Sequence, residues 1–91
     1  MSATAPFQRE TLEFLPVSVT VNGTAVTTDV EFSVVDLDSR PSTFGAATTI
    51  GGAIGVMVNG TALGPGTFRV FAKVTSSPEI PVIDCGSFRV L

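Results

Sequence analysis

Side chains that could do acid–base or nucleophilic chemistry are scarce in this sequence. Histidine, tyrosine and tryptophan are absent, so catalysis would fall to eight carboxylates, Lys73 and the single cysteine, Cys85. With no histidine to activate its thiol, Cys85 is expected to be a small strand residue rather than a nucleophile. A single cysteine also cannot form an internal disulfide. These residue types predict that the protein is not an enzyme and has no catalytic residues.

Two short motifs raise the possibility of a bound ion or phosphate. Asp36 and Asp38 could share a cation, but calcium takes about six to eight oxygens, and only Asp29 and Ser39 lie near them in the sequence. The glycine-rich residues 51–55 lack the Gly-Lys-Ser/Thr ending of a phosphate-binding loop. We therefore predict no metal site and no cofactor.

The composition is unusually poor in charge. Charged residues make up 14% of the chain, against about 25% in typical soluble domains. Threonine, serine, glycine and small apolar groups must then cover much of the surface, and such a surface is easily desolvated by a partner. This favours a subunit of an assembly, the alternative being a β domain that is simply low in charge.

The net charge is −3, and the five basic residues are scattered along the chain. The absence of a basic cluster argues against nucleic acid and against anionic membranes as partners. No stretch approaches the roughly 20 apolar residues of a membrane span. The first six residues lack the pattern of a signal peptide, which predicts a protein that stays in a reducing cytoplasm.

The 91 residues predict one domain. Residues 1–10 are predicted to form a flexible N-terminal arm, either disordered or ordered against a neighbouring subunit, and residues 11–91 a single domain. Alternation with a period of two and the turn residues between segments predict an all-β fold, an Ig-like β-sandwich of about seven short antiparallel strands. The strands are expected near residues 12–15, 17–21, 30–35, 54–58, 67–74 and 82–90, with weaker ones near 26–28 and 48–50.

The apolar positions of these strands predict the core. Pro16 marks a switch of parity, which indicates a bulge or two short strands. The predicted core residues are Phe14, Val19, Phe32, Val34, Val56, Phe68, Val70, Val74, Phe88 and Val90.

A six-residue segment occurs twice with little change, as VNGTAV at residues 21–26 and VNGTAL at 58–63. Each copy follows a valine-rich strand and contains Asn-Gly, which suits a tight turn. Shared turn chemistry explains the likeness better than a duplication. Both copies also match the Asn-x-Thr glycosylation pattern, which we discount without a secretion signal.

The outward side of the strand at 67–74 carries the best candidates for contact with a partner. Phe71 alternates with Phe68 and Val70, so it should point away from the core and could anchor an interface. The alternative is a strand that is covered on both faces. The loop at 75–81 presents a carboxylate between prolines. The interface candidates are Phe71, Arg69, Lys73, Glu79, Pro78 and Phe7.

Residues 63–90 resemble small Ig-like virion proteins of tailed bacteriophages, particularly phages of actinobacteria. The resemblance rests on LGPGTFRVFAKVT at 63–75, SPEIPV at 77–82 and GSFRV at 86–90. Phe68 and Phe71 stand where the family often has tryptophan or an aromatic hydroxyl. The front half of the chain fits more loosely.

The resemblance implies a non-enzymatic phage virion structural protein, foremost a capsid decoration or minor capsid protein that binds the capsid surface and stabilises the particle. Its partners would be the major capsid protein or other virion subunits, with homo-oligomers in the particle. Its location would be the virion, assembled in the host cytoplasm. The alternatives are a head–tail connector or tail component and, more distantly, an Ig-like module that binds a ligand or carbohydrate. The last lacks the tryptophan or tyrosine platform typical of sugar sites.

Overall fold

The computed structural model describes residues 6–75 and 79–91, and within these ranges the fold is built almost entirely of antiparallel strands. The elements are β1 (Leu12–Pro16), β2 (Thr20–Val21), β3 (Thr24–Ala25), β4 (Val30–Asp36), β5 (Gly45–Ala46), β6 (Thr48–Ile50), β7 (Ala53–Asn59), α1 (Gly60–Leu63), β8 (Gly66–Val74) and β9 (Val82–Val90). The all-β prediction is confirmed. Nine strands form in the described ranges instead of about seven. The weak segment at 48–50 is strand β6, whereas the one predicted at 26–28 is wrong, since the short strand there is β3 at Thr24–Ala25, and β5 was not predicted.

Two sheets enclose the core. Strands β5-β4-β8-β9 form a four-stranded sheet, strands β1-β7-β6 form a three-stranded sheet, and β2 and β3 form a separate hairpin. Valines and phenylalanines dominate the longer strands, as expected for side chains that pack on a pleated surface. The buried cluster draws on both sheets: Val17, Val19, Val30, Phe32, Ile54, Val58, Phe68, Val70, Ala72, Val74, Phe88 and Val90.

Most of the predicted core is buried, with one correction. Val34 and Val56 are partly buried against the cluster, but Phe14 lies outside it. Leu15 takes the inward position of β1, so its neighbour Phe14 must point to the opposite face. The parity switch at Pro16 resolves into two short strands, with β1 ending there and Val17 bonded to Ile54 through its amide at 2.9 Å.

The two Asn-Gly copies fold differently. Asn22 and Gly23 have φ of 51° and 79° and connect β2 to β3 in a tight turn. Asn59 instead caps the single helical turn α1, its side-chain oxygen accepting a hydrogen bond from the Ala62 amide at 3.2 Å. The expectation that both copies would serve as tight turns is therefore correct only for the first.

The predicted arm boundary at residue 10 needs correction. Phe7 forms a parallel bridge with Val90, donating from its amide to Arg89 O at 2.8 Å and accepting from the Leu91 amide at 2.9 Å. Its ring packs edge-on against Phe88 with centroids 5.7 Å apart. These backbone bonds and the aromatic contact join residue 7 to the sandwich, while residues 1–5 lie outside the described ranges.

Candidate functional site

The outer side of the four-stranded sheet brings together three of the six predicted interface residues. Cross-strand register places Arg69, Phe71 and Lys73 of β8 on this side, beside Glu31 of β4 and Asp84 of β9. We call these five residues the charged face. Arg69 and Asp84 form an ion pair at 2.5 Å, and Lys73 Nζ lies 3.3 Å from Glu31 Oε1. The charges of this face are thus paired within the chain.

A β-bulge in β9 brings Asp84 to this face. Asp84 shares its parity with Phe88 and Val90, both buried, so regular alternation would direct it toward the core. The register instead shifts, with Val70 opposite Gly86 and Phe71 opposite Asp84, which leaves Cys85 as the extra residue. The Asp84 carboxylate then reaches Arg69 and also accepts a bond from the Gly86 amide at 2.9 Å.

The bulge also sets the environment of the cysteine. Cys85 is half-buried and packs against the core cluster, and its thiol lies 3.6 Å from the Ile83 carbonyl oxygen. Burial raises the pKa of the Cys85 thiol. A raised pKa lowers the thiolate fraction at neutral pH, which is the opposite of what a reactive cysteine requires.

The ion pair gives the fold a small dependence on pH. The Gly86 amide and then the Arg69 guanidinium lower the pKa of Asp84 below its ordinary value of 3.8. A carboxyl whose pKa is lower in the folded state than in the unfolded state stabilises the fold at pH values above its unfolded-state pKa. This contribution is lost as the pH falls through the folded-state pKa.

We expect Asp84→Asn to remove this contribution. At pH 7 the cost should be about 0.2–1 kcal/mol, the range of exposed ion pairs. As the pH falls from 3.8 through the lower folded-state pKa of Asp84, the variant and the wild type should converge, because protonation abolishes the same charge. Urea unfolding followed by circular dichroism at pH 7 and at low pH measures both values. Glu10→Gln removes the same charge at an exposed position and is the control. Equal losses of unfolding free energy in the two variants at pH 7 would contradict a specific stabilising role of the Asp84 carboxylate.

Phe71 does not offer its ring to a partner. It points away from the main core as expected, but it is only 6% exposed. The segment between β4 and β5 covers it, with the Arg40 guanidinium 5.8 Å from the ring centroid. Phe44 of the same segment lies under Lys73 Nζ at 5.0 Å. The structure therefore agrees with the alternative, a strand covered on both faces.

The other predicted interface residues are not part of the charged face. Glu79 is exposed at the β8–β9 connection, whereas Pro78 lies outside the described residues. Phe7 is half-buried against Phe88 at the opposite end of β9. The structure thus brings Arg69, Phe71 and Lys73 together and leaves Glu79 and Phe7 apart from them.

The outer side of the three-stranded sheet is a second surface of different character. It is formed by alternate residues of β1, β6 and β7, whose register places them on one side. We call this the uncharged face: Leu12, Phe14, Pro16, Thr48, Ile50, Ala53, Gly55, Met57 and Asn59. Three of its side chains are large, apolar and solvent-exposed: Leu12 at 64%, Ile50 at 52% and Met57 at 43%. Apolar groups concentrated on one sheet face are typical of a surface that meets a partner.

Two open clefts lie at one end of the sandwich. The larger, about 470 Å³, is lined mainly by threonines, alanines and the carboxylates Asp29 and Glu31. The smaller, about 290 Å³, runs between residues 16–20 and β3. Within residues 6–75 and 79–91, no three acidic, histidine or cysteine side chains lie close enough to hold a metal ion. The helix in the same ranges is too short to cross a membrane.

No protein-family model, curated protein or solved structure gave a significant match to this chain.

The uncharged face is not among the predicted sites because the sequence pattern predicts Phe14 in the core. The signal was present in β7, where Ile54, Val56 and Val58 share the inward parity. Met57 must then point outward, and antiparallel pairing places it opposite Phe14. A methionine and a phenylalanine side by side on the outer side of a sheet would have identified this surface.

Proposed function

We propose that this chain is a non-enzymatic structural subunit of a tailed-bacteriophage particle, foremost a capsid decoration or minor capsid protein. The observation that carries the proposal is the uncharged face, with Leu12, Ile50 and Met57 exposed on a small folded domain. A sheet face of this kind gains free energy when another subunit excludes water from it. The resemblance of residues 63–90 to phage virion proteins supplies the kind of particle.

The paired charges of the other sheet support the same role. Two ion pairs, Arg69 with Asp84 and Lys73 with Glu31, neutralise the charges of this face within the chain. Little unpaired charge would therefore be presented to a neighbouring subunit. Rim charges of this kind add little affinity but restrict how partners approach. A subunit that binds mainly by shape and apolar contact fits this distribution.

Quantitative mass spectrometry of gradient-purified particles of the phage that encodes the chain tests the proposal. The chain should co-purify in fixed proportion to the major capsid protein, while host cytosolic proteins measured in the same sample define the background. A copy number in the hundreds indicates decoration, and roughly six or twelve copies, as ring symmetry sets, indicates the connector or tail alternative. Absence of the chain from particles would overturn both.

A further inference from the structure

The uncharged face differs in composition from the outer side of the other sheet. Its side chains from β1, β6 and β7 include no acidic or basic residue. The outer side of the four-stranded sheet, by contrast, carries Glu31, Arg69, Lys73 and Asp84. One surface of the sandwich is thus suited to apolar stacking and the other is not.

We propose that the uncharged face binds the same face of a second copy of this chain, sheet against sheet around a twofold axis. The proposal rests on the proposed function, since it names the partner that covers this surface in an assembly. Two β-sheets stacked face to face lie about 10 Å apart, and their outward side chains interdigitate.

The distribution of charge selects the second copy. Any partner must bring a surface without unpaired charge, because a charge buried against Leu12, Ile50 and Met57 would lose its hydration without compensation. The charged face of a neighbouring copy fails this condition. The uncharged face of a neighbouring copy meets it, and a twofold contact presents the same patch from both sides.

Met57 is expected to lie near the centre of the contact. It belongs to β7, the middle strand of the three-stranded sheet, and it lies directly opposite Phe14 of the neighbouring strand β1. Methionine is unbranched and adapts its shape to a facing surface. The flanking strands add Leu12 on one side and Ile50 on the other.

The size of the face sets the strength of the contact. Three strands about 4.8 Å apart and the seven residues of β7 at about 3.3 Å each give a footprint of roughly 14 by 23 Å. A footprint of roughly 320 Å² per copy is below the roughly 800 Å² per partner of a standard specific interface, so the contact should be weak and transient. We expect a dissociation constant on the order of 10 μM to 1 mM, so that pairing becomes complete where copies are concentrated.

Sedimentation equilibrium of the full chain over a concentration series tests the proposal. The wild type should shift from monomer to dimer as its concentration rises, without forming larger species. Met57→Glu should weaken the dimer at least tenfold, because it places two like charges in the apolar contact. Val82→Glu is the matched control, since Val82 is 49% exposed but lies on β9 in the other sheet. It changes the net charge by the same amount and should leave the dimer intact.

A second variant guards against a folding defect at position 57. Leu12→Glu changes the most exposed large side chain of the uncharged face and should also weaken the dimer at least tenfold. Circular dichroism confirms that each variant is folded. A wild type that stays monomeric up to about 1 mM overturns the proposal, as does equal weakening by Met57→Glu, Leu12→Glu and Val82→Glu.

The two proposals fail independently. A monomeric chain that is still present in particles at fixed stoichiometry removes the twofold contact and leaves the structural role intact. A chain that dimerises through Met57 but is absent from particles keeps the twofold contact and removes the structural role.

Discussion

Phe88→Ala is expected to lower the free energy of unfolding by about 3–5 kcal/mol, the range for removing a buried phenyl ring. Phe88 is 2% exposed and is among the largest fully buried side chains. Its ring stacks on Phe68 and meets Phe7 edge-on, each with centroids 5.7 Å apart. The alanine variant therefore loses packing within the four-stranded sheet and loosens the docking of Phe7.

Urea unfolding followed by far-ultraviolet circular dichroism measures this loss, because the chain has no tryptophan or tyrosine to report by fluorescence. A domain of this length has a total stability of roughly 5–14 kcal/mol, so the variant should lose a large fraction of it and unfold at a clearly lower urea concentration than the wild type. Ile80→Ala removes an exposed apolar side chain and should stay within about 0.5 kcal/mol of the wild type. A similarly small change for Phe88→Ala would contradict the aromatic core.

Gly55→Ala is expected to destabilise the fold by about 3 kcal/mol, the upper part of the range for overpacking. A Cβ at this position would lie 2.0 Å from the Leu15 carbonyl oxygen and 2.9 Å from the Pro16 Cα. Both are backbone atoms, so β1 would have to move away from β7 to make room. The damage should fall on the three-stranded sheet and therefore on the uncharged face.

Gly45→Ala provides the matched control for this glycine. Its added Cβ would meet nothing within 4 Å, and Gly45 is exposed on the short strand β5. The control should be neutral or slightly stabilising, because alanine restricts the unfolded chain. Comparable losses of unfolding free energy at positions 45 and 55 would show that backbone freedom, rather than the close approach of β1, decides the effect.

The long strands could be predicted from the sequence because each has one apolar face. In β4 and β8, for example, Val30, Phe32 and Val74 alternate with polar neighbours, and all three are buried. The alternation of apolar and polar residues with a period of two is set by neighbours in the sequence, so it indicates a strand without knowledge of distant contacts. The turn at Asn22 could be predicted for the same reason, since a positive φ depends on the residue itself.

Features that depend on distant parts of the chain could not be predicted. The second Asn-Gly became a helix cap where Gly60 is buried against the Gln8 and Arg9 carbonyl oxygens, a contact across about fifty residues of sequence. The bulge at Cys85 reverses the parity of Asp84, and alternation alone carries no sign of it. The cover over Phe71 likewise comes from a segment without regular structure, around Arg40.

The bridge between Phe7 and Val90 also bears on how the protein avoids aggregation. β9 is an outer strand of its sheet, and a bare outer strand can recruit a strand from another molecule and start a fibril. Phe7 occupies backbone groups on this edge by bonding to Arg89 and Leu91. The Arg9 guanidinium adds a bond from its Nε to Leu91 O at 3.1 Å and places a positive charge beside the same edge. The start of the sandwich thus covers part of the edge of its last strand, which opposes disordered growth along β9 and leaves the uncharged face free to meet a partner.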